Sequence, residues 1–352
     1  MVQEKKLGVF TAPKKHIARS KPCRGWGLPE AKVLPPTQSA PLRPITTPEV
    51  TLLAFFKSQC EILRSLELNS ILSAVKGHLF NKEYAEAFGG KEEYRRAYLA
   101  RYGPSRALVY RKIFRESDPI RTVLSGGKEG EVRNVVCLGG GAGSEVVALA
   151  SLMSRFIGAE EEKEGGAKVA VTAVDNCDWG AIIAELESGM LKAFEGLSAT
   201  PTTSQRFSVD FVQTDVLTSY LTPTAIPIID YATASLITIL FTISELFLQS
   251  RPSTISLLNH ITAATTPGTL LLVVESASLA EIAIGTSGRT YPLGTLLDHT
   301  LCADRGLKGG DAKWRCIEEE ESVWYRMPED AQEHYPLKLE NTRVMMRMYK
   351  RV

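Results

Sequence analysis

A glycine-rich stretch between an apolar run and a helical pattern constrains the fold of this chain most strongly. Residues 135–145 read Val-Val-Cys-Leu-Gly-Gly-Gly-Ala-Gly-Ser-Glu, after a predicted strand at Asn134 to Leu138 and at the start of a predicted helix at Ser144 to Ile157. Glycines let the backbone turn tightly and approach a ligand, and a helix N-terminus offers N–H groups that lack helical partners. The pattern therefore favours a nucleotide-like ligand over a merely flexible loop.

The order of strand, turn and helix continues along the chain. Further strands are predicted at 169–174, 206–212, 236–241 and 269–274, and helices at 179–194 and 253–265. Such alternation favours a parallel sheet with helices on both faces. Two late strand-like segments, 314–326 and 342–350, break the alternation. The predicted fold class is therefore α/β, with a mostly parallel Rossmann-like sheet and a C-terminal antiparallel hairpin.

Charge and composition narrow the function classes. Residues 1–134 hold 24 Lys and Arg against 13 Asp and Glu, whereas the remaining residues hold 17 against 27, so a polyanion would meet the first part. The longest apolar run, 236–243, is too short for a membrane span of about 20 residues, and we predict no membrane segment. Histidines and cysteines lack zinc spacing, so we also predict no metal site.

We divide the chain into three parts. Residues 1–48 carry lysine clusters and several prolines and are predicted to form a flexible basic arm, whose role is nuclear import, nucleic-acid contact or solubility alone. Residues 49–125 are predicted to be a helical segment, with helices at 92–102 and 106–114 on either side of Gly103-Pro104-Ser105. Residues 126–352 contain the glycine turn and the sheet.

Basic and aromatic residues are interleaved in the helical segment. Arginines and lysines can neutralise phosphates, and tyrosine rings can stack on unpaired bases. The alternative is a solvated helix face whose long charged side chains lie over packed tyrosines. The candidate RNA-binding residues are Arg95, Arg96, Arg101, Arg106, Arg111 and Lys112.

Polar residues follow two predicted strands at one edge of the sheet. Asp175 and Asn176 end the second strand, and Asp215 and Val216 follow the third. Asp175 can accept hydrogen bonds from ribose hydroxyls, and Asp215 can accept one from an adenine amino group. The alternative is that both aspartates cap local turns. The candidate ligand-binding residues are Gly139, Gly140, Gly141, Gly143, Asp175, Asn176, Asp215 and Val216.

Two ligand classes fit this arrangement. A nicotinamide site would show G-x-G-x-x-G with an acid about 20 residues beyond it, but Ser144 replaces the last glycine and Asp175 lies 36 residues after Gly139. The late strand pair resembles the reversed final hairpin of class I methyltransferases, which bind S-adenosylmethionine (SAM). Their first motif is usually acid-x-Gly-x-Gly-x-Gly, and in this sequence Cys137 replaces the acid.

Several longer segments resemble the fungal 25S rRNA uridine-N3 methyltransferase family. They are residues 138–145 (LGGGAGSE), 236–247 (LITILFTISELF), 297–301 (LDHTL), 339–343 (LENTR) and 102–110 (YGPSRALVY). The similarity extends from about Pro48 to the end of the sequence. The resemblance implies methyl transfer from SAM to N3 of a uridine in large-subunit ribosomal RNA. It also implies ribosomal RNA or a pre-ribosome as partner, in the nucleus (nucleolus) or the cytoplasm.

The loop after the strand that ends at Phe241 would lie beside the methyl donor, because ligands gather at the carboxyl ends of parallel strands. We interpret Phe241 as a stacking or packing wall and Glu245 as the nearest candidate base. The alternatives are an ordinary core residue and a glutamate favoured by the helix dipole. Two other functions stay open: an NAD(P)-dependent oxidoreductase, and a non-catalytic ribosome-assembly factor, which the replacement of the acid by Cys137 allows.

Overall fold

The computed structural model describes residues 47–126, 131–159, 168–194, 197, 205–221, 227–279, 281–284, 289–302 and 312–352. All but the last two residues of the predicted basic arm, 1–48, lie outside this set. The strands are β1 Val132–Leu138, β2 Lys168–Asp175, β3 Phe207–Gln213, β4 Ala234–Leu240, β5 Leu270–Ser276, β6 Glu281–Ile284, β7 Arg289–Pro292, β8 Trp314–Tyr325 and β9 Thr342–Arg351. The helices are α1 Pro48–Gln59, α2 Leu68–Phe80, α3 Glu92–Glu116, α4 Asp118–Ser125, α5 Ser144–Ala159, α6 Gly180–Ala193, α7 Ile243–Gln249, α8 Arg251–Ala264 and α9 Leu293–Leu301.

Seven of these strands form one sheet in the order β3-β2-β1-β4-β5-β9-β8. The pairs from β3 to β5 are parallel, and β9 is antiparallel to both β5 and β8. The predicted α/β fold class with a C-terminal antiparallel hairpin is therefore confirmed. The strand order reverses between β1 and β4, and in open α/β sheets ligands bind at such a switch point, beyond the carboxyl ends of the strands.

Two hydrophobic cores cover the faces of the sheet. On one face, buried residues of the N-terminal helices, such as Phe56 and Val109, share a core with Val147 of α5 and Leu272 of β5. On the other face, Leu258 of α8 belongs to a second core with α9 and the sheet. Packing therefore runs across the predicted boundary between residues 49–125 and 126–352, and that boundary stays a prediction.

The helix α3 continues through Pro104, although we predicted two helices separated by Gly103-Pro104-Ser105. Proline has no N–H, so it leaves the carbonyl of residue i−4 without its helical donor. Here that carbonyl belongs to Ala100, and it accepts a hydrogen bond of 2.7 Å from the hydroxyl of Tyr335. A side chain from the other end of the sequence thus replaces the missing bond, and the prediction of two separate helices was wrong.

Among the residues that the structure describes, no helix combines the length and the apolar character that a membrane span requires.

Candidate active site

A cleft opens at the switch point between β1 and β4 and contains about 720 Å³ of empty space, including its mouth. Most of the predicted site residues line it, namely Gly139, Asp175, Asn176, Asp215, Val216, Phe241 and Glu245. The helix α3 contributes Tyr98 and Arg106 to the same cleft, and Trp179 lies beside Asp175.

The glycine turn, residues 139–143, packs closely against neighbouring backbone and side chains. Gly139 and Gly143 have positive φ angles of 78° and 70°, which favour glycine. The N–H groups of Gly139 and Gly140 both donate to the carbonyl of Val174, at 2.8 and 3.1 Å. A Cβ at Gly139 would lie 2.2 Å from Thr242 Oγ1, and one at Gly141 would lie 2.2 Å from Trp179 Cδ1. The glycines therefore allow the turn to pack against the cleft wall.

Asp175 ends β2 with its carboxylate facing the turn. Its Oδ2 accepts from Gly141 N at 3.2 Å and its Oδ1 accepts from Cys177 N at 3.0 Å. Burial raises the pKa of Asp175, and these two N–H groups oppose the rise. A carboxylate has about four lone-pair sites, and the N–H groups of Asn176 and Trp179 also approach this one, so a ligand's hydroxyl groups would compete with them.

Trp179 supplies a buried donor beside the same carboxylate. Its Nε1 lies close enough to Asp175 to lower that group's pKa. It makes no hydrogen bond of ordinary geometry within the described part of the chain. A ligand with polar atoms at this position would satisfy it. The donor set of the cleft, one carboxylate and one indole N–H, therefore suits a ligand that carries both hydroxyl and acceptor groups.

Asp215 follows β3 and is exposed at the cleft. Its Oδ1 accepts from Leu217 N at 2.9 Å and its Oδ2 accepts from the hydroxyl of Thr218 at 3.2 Å. These two bonds agree with the alternative in which Asp215 caps a local turn. The contact of Asp215 with an adenine stays a prediction. Val216 is buried, and Asn176 is exposed with its carbonyl accepting from Gln213 at 3.3 Å.

Phe241, directly after β4, has a φ of 57°, which a bulky residue rarely adopts. Its N–H donates to the carbonyl of Val274 at 2.7 Å, and its ring lies 5.0 Å from the guanidinium carbon of Arg106. Strained backbone of this kind costs about 1 to 3 kcal/mol and is concentrated at functional sites. The placement fits a cleft wall, and the predicted stacking role stays a prediction.

Glu245, in the first turn of α7, is half-buried at the cleft. Burial raises its pKa to about 7, and the negative charge of Asp175 adds to the rise. Gln249 donates to its Oε1 at 3.3 Å. A carboxyl group that titrates near neutral pH is suited to take up a proton. The proposed role as a base stays a prediction.

A carboxyl group that sequence reasoning missed lies beneath the glycine turn. Glu145 is buried beside Cys137, its Oε2 accepts from the hydroxyl of Thr238 at 3.3 Å, and burial raises its pKa to about 7. Glu145 thus lies beside position 137, where the motif usually has an acid, but it is not among the described residues that line the cleft. The available signal was a glutamate directly after the glycine turn, where the helix N-terminus favours negative charge.

The predicted RNA-binding residues make intramolecular contacts. Arg96 pairs with Glu92 and Glu185, and Arg101 pairs with Glu340. Arg95 donates to the carbonyl of Phe88, and Arg106 donates to the hydroxyl of Tyr98. Arg111 donates to Ser151 and Glu49, and Lys112 lies over the ring of Tyr325. Arg111 is only 2% exposed, so the prediction that it contacts RNA phosphates is wrong. For the other five residues the RNA role stays a prediction.

The strand order and the cleft are those of an α/β protein with a ligand site at the switch point of its sheet. A family model of SAM-dependent methyltransferases matches residues 55–350, and the chain belongs to this family. It is 33% identical over 295 residues to the 25S rRNA (uridine(2843)-N(3))-methyltransferase of Saccharomyces cerevisiae, covering 80% of this chain and 78% of that protein. The alternative of an NAD(P)-dependent oxidoreductase is thereby overturned.

Solved structures show weaker similarity. An O-methyltransferase family protein from Burkholderia thailandensis is 12% identical with a TM-score of 0.43, covering 81% of this chain and 70% of that chain. A 16S rRNA (adenine(1408)-N(1))-methyltransferase from Catenulisporales acidiphilia is 16% identical with a TM-score of 0.32, covering 67% and 92%. The family assignment rests on the family model and the yeast relative.

The residues of the cleft fit SAM. Asp175 lies at the cleft as an acceptor for ribose hydroxyls, the indole N–H of Trp179 is a buried donor, and the glycine turn closes on the same space. Over the described ranges, no group of three or more His, Cys, Asp or Glu side chains is arranged to hold a metal ion.

Proposed function

We propose that this enzyme methylates N3 of a uridine in large-subunit (25S) ribosomal RNA. The observation that carries the proposal is the 33% identity to the yeast uridine-N3 enzyme, because it extends over 80% of this chain. The matched family region, 55–350, contains every cleft residue named above. A uridine presents N3 on its Watson–Crick edge, so the target base must be unpaired or flipped into the site.

The cleft residues support this chemistry. Asp175 and Trp179 would hold the sugar and polar groups of SAM, while Phe241 and Arg106 form the wall toward the substrate. Bound SAM would supply an activated sulfonium methyl group for transfer to N3. Glu245, with a pKa of about 7, takes up the N3 proton. The Arg106 guanidinium favours the negative charge that develops on the base.

The biological setting is part of the proposal. We place the protein in ribosome biogenesis, with ribosomal RNA or a pre-ribosome as partner, in the nucleus (nucleolus) or the cytoplasm. The basic composition of residues 1–134 supports contact with a polyanion. The second candidate, an assembly factor without turnover, now rests only on Cys137, and Glu145 supplies a carboxyl group beside that residue.

Mass spectrometry of nucleosides tests the proposal. Unmodified 25S rRNA, transcribed in vitro and incubated with the enzyme and SAM, should gain 3-methyluridine. The same reaction without enzyme should gain none. Methyl transfer to another base or atom would contradict the uridine-N3 assignment, and calorimetric binding of SAM without any methyl transfer would support the assembly factor.

The variant Asp175→Asn tests the assignment of the donor cleft. It should weaken SAM affinity about tenfold to a hundredfold, because a charge-assisted hydrogen bond is worth roughly 1.5 to 3 kcal/mol. The matched control is Asp178→Asn in the same turn, since Asp178 is exposed and caps Gly180 N at 3.1 Å. Calorimetry should show unchanged SAM affinity for the control. Equal affinities for the two variants would exclude a sugar-binding role for Asp175.

A further inference from the structure

A second groove opens next to the donor cleft. It contains about 1190 Å³ of empty space, including its open mouth, and lies between α3, the end of β5, the end of β8 and the start of β9. Arg106 and Phe241 line both cavities. A substrate in this groove would therefore meet the donor cleft across the strained phenylalanine and the arginine.

We propose that this groove binds the single-stranded RNA around the target uridine, with Trp324 stacking on a base and Arg343 binding a phosphate. The proposal rests on the proposed function and names the RNA-contacting surface of the same site. It moves the RNA contact from the arginines of α3 to the C-terminal hairpin.

The first argument is the exposure of Trp324. Its side chain is 51% exposed, whereas the two other tryptophans that the structure describes, Trp179 and Trp314, are 2% and 0% exposed. Leu279, on the same groove, is also 51% exposed. Aromatic side chains with a free face are the usual platforms for unpaired bases. An exposed indole at the rim of an active-site groove thus points to a stacking ligand.

The second argument is the charge beside the indole. Arg343 is the cross-strand partner of Trp324 in the β8–β9 ladder and is exposed. The guanidinium of Arg326 lies 5.6 Å from the Trp324 ring centroid. The one acidic residue that lines the groove among the described residues, Glu340, pairs with Arg101. The net positive charge favours an RNA strand over an apolar peptide.

The third argument is the polar lining nearer to the cleft. The hydroxyls of Ser276 and Ser278 lie 2.8 Å apart, and Asn341 accepts from Met327 N at 2.7 Å through its Oδ1. That bond orients the Asn341 side chain so that its NH₂ group remains as a donor. Uracil carries two carbonyl acceptors beside N3. The groove thus offers donors of the type that a uracil edge needs.

The test uses the full chain and unmodified 25S rRNA transcribed in vitro. The variant Trp324→Ala should lower kcat/KM for the RNA by about tenfold to a hundredfold, mainly through KM, since one stacked base is worth roughly 1 to 3 kcal/mol. Trp324→Phe should retain most of the activity, because it keeps an aromatic face. Arg343→Ala should weaken RNA binding and reduce its salt dependence by about one phosphate contact.

Two controls separate the groove from general effects. Arg315→Ala removes an exposed arginine from the same strand, β8, and Phe80→Ala removes an 87% exposed aromatic ring from α2. Both should leave kcat/KM for the RNA unchanged. SAM affinity, measured by calorimetry, should be the same in all five variants.

The outcomes distinguish the two proposals. If the wild-type chain forms no 3-methyluridine, the proposed function fails, and RNA affinity measured by filter binding then decides the role of the groove. Weaker RNA affinity in Trp324→Ala than in Phe80→Ala supports the groove in either case. Equal RNA affinity and equal kcat/KM in these two variants would overturn it.

Discussion

Single residues at the cleft hold unfavourable conformations or charges that only the folded chain can impose. Phe241 has a φ of 57°, and the carboxyl groups of Glu145 and Glu245 have pKa values of about 7. Position after a strand was enough to predict Phe241 and Glu245 as site residues. Glu145 was missed because its importance comes from burial beside Cys137 of β1 and Thr238 of β4, which only the folded sheet brings together.

Glu145 should make stability depend on pH. Its pKa is about 7 in the folded protein against an ordinary value of 4.5, so the unfolded state binds fewer protons between these values. Stability therefore falls as pH rises from about 5 to 7 and levels off above that range. In Glu145→Gln this part of the slope should disappear, and the variant should be more stable than the wild type at pH 8 by on the order of a few kcal/mol.

Urea denaturation from pH 5 to 8 without SAM measures this effect. The second variant is Glu245→Gln, because its carboxyl group also has a pKa of about 7 and should contribute a slope of its own. A slope in Glu145→Gln as steep as that of the wild type would show that Glu145 does not contribute.

Among helices and strands, the local sequence pattern predicted the boundaries correctly where no distant contact was involved. The helix predicted at Ser144 to Ile157 is observed at Ser144–Ala159. The break predicted at Pro104 failed because Tyr335, far along the chain, donates to the carbonyl of Ala100. The hydrophobic pattern of a helix gives no information about a contact between residues so far apart in the sequence. For the same reason the contribution of α3 to the cleft could not be predicted from the helical pattern.

The turn between β1 and α5 should be more sensitive to substitution than its φ angles alone require. In Gly139→Ala the new Cβ would lie 2.2 Å from Thr242 Oγ1, beside Phe241. We expect a loss of about 2 to 4 kcal/mol of stability and at least tenfold weaker SAM binding, because backbone strain and crowding add.

The matched control is Gly268→Ala. Gly268 also has a positive φ, 99°, but nothing lies within 4 Å of its added Cβ. This variant should lose only about 1 kcal/mol through backbone strain and keep its SAM affinity. Denaturation and calorimetry on both variants measure the difference. If the two variants behave alike, contact with Thr242 does not set the position of the turn.

The whole molecule is joined by residues that connect the N-terminal helices to the sheet. Arg111 of α3 donates to Ser151 of α5 at 3.1 Å and to Glu49 of α1 at 2.9 Å. The strand pattern predicted the sheet. The position of α3 beside the cleft depends on tertiary packing. The helical pattern alone did not show that packing, so its basic residues were considered only as RNA contacts.

We expect the described parts of 49–125 and 126–352 to unfold in one transition. Removing one partner of a fully buried ion pair costs about 3 to 5 kcal/mol. Glu49 is 26% exposed, so Arg111→Ala should cost less than that but should still lower the unfolding midpoint without splitting the transition. Arg121→Ala, at an exposed pair with Asp118, should cost less than about 1 kcal/mol. Coincident urea curves from circular dichroism and tryptophan fluorescence measure this. Two separate transitions would contradict it.

The edge strand β8 of the seven-stranded sheet affects whether two copies of the chain can associate through strand pairing. An edge strand offers unpaired N–H and C=O groups that can template aggregation. The edge strand β8 carries four consecutive glutamates, Glu318 to Glu321, and its ladder to β9 shifts register on either side of them. The glutamates of two β8 strands would repel each other, and the backbones of these irregular strands could not form a regular ladder of hydrogen bonds. Charge and bulges thus discourage strand-to-strand aggregation along β8 without a covering helix.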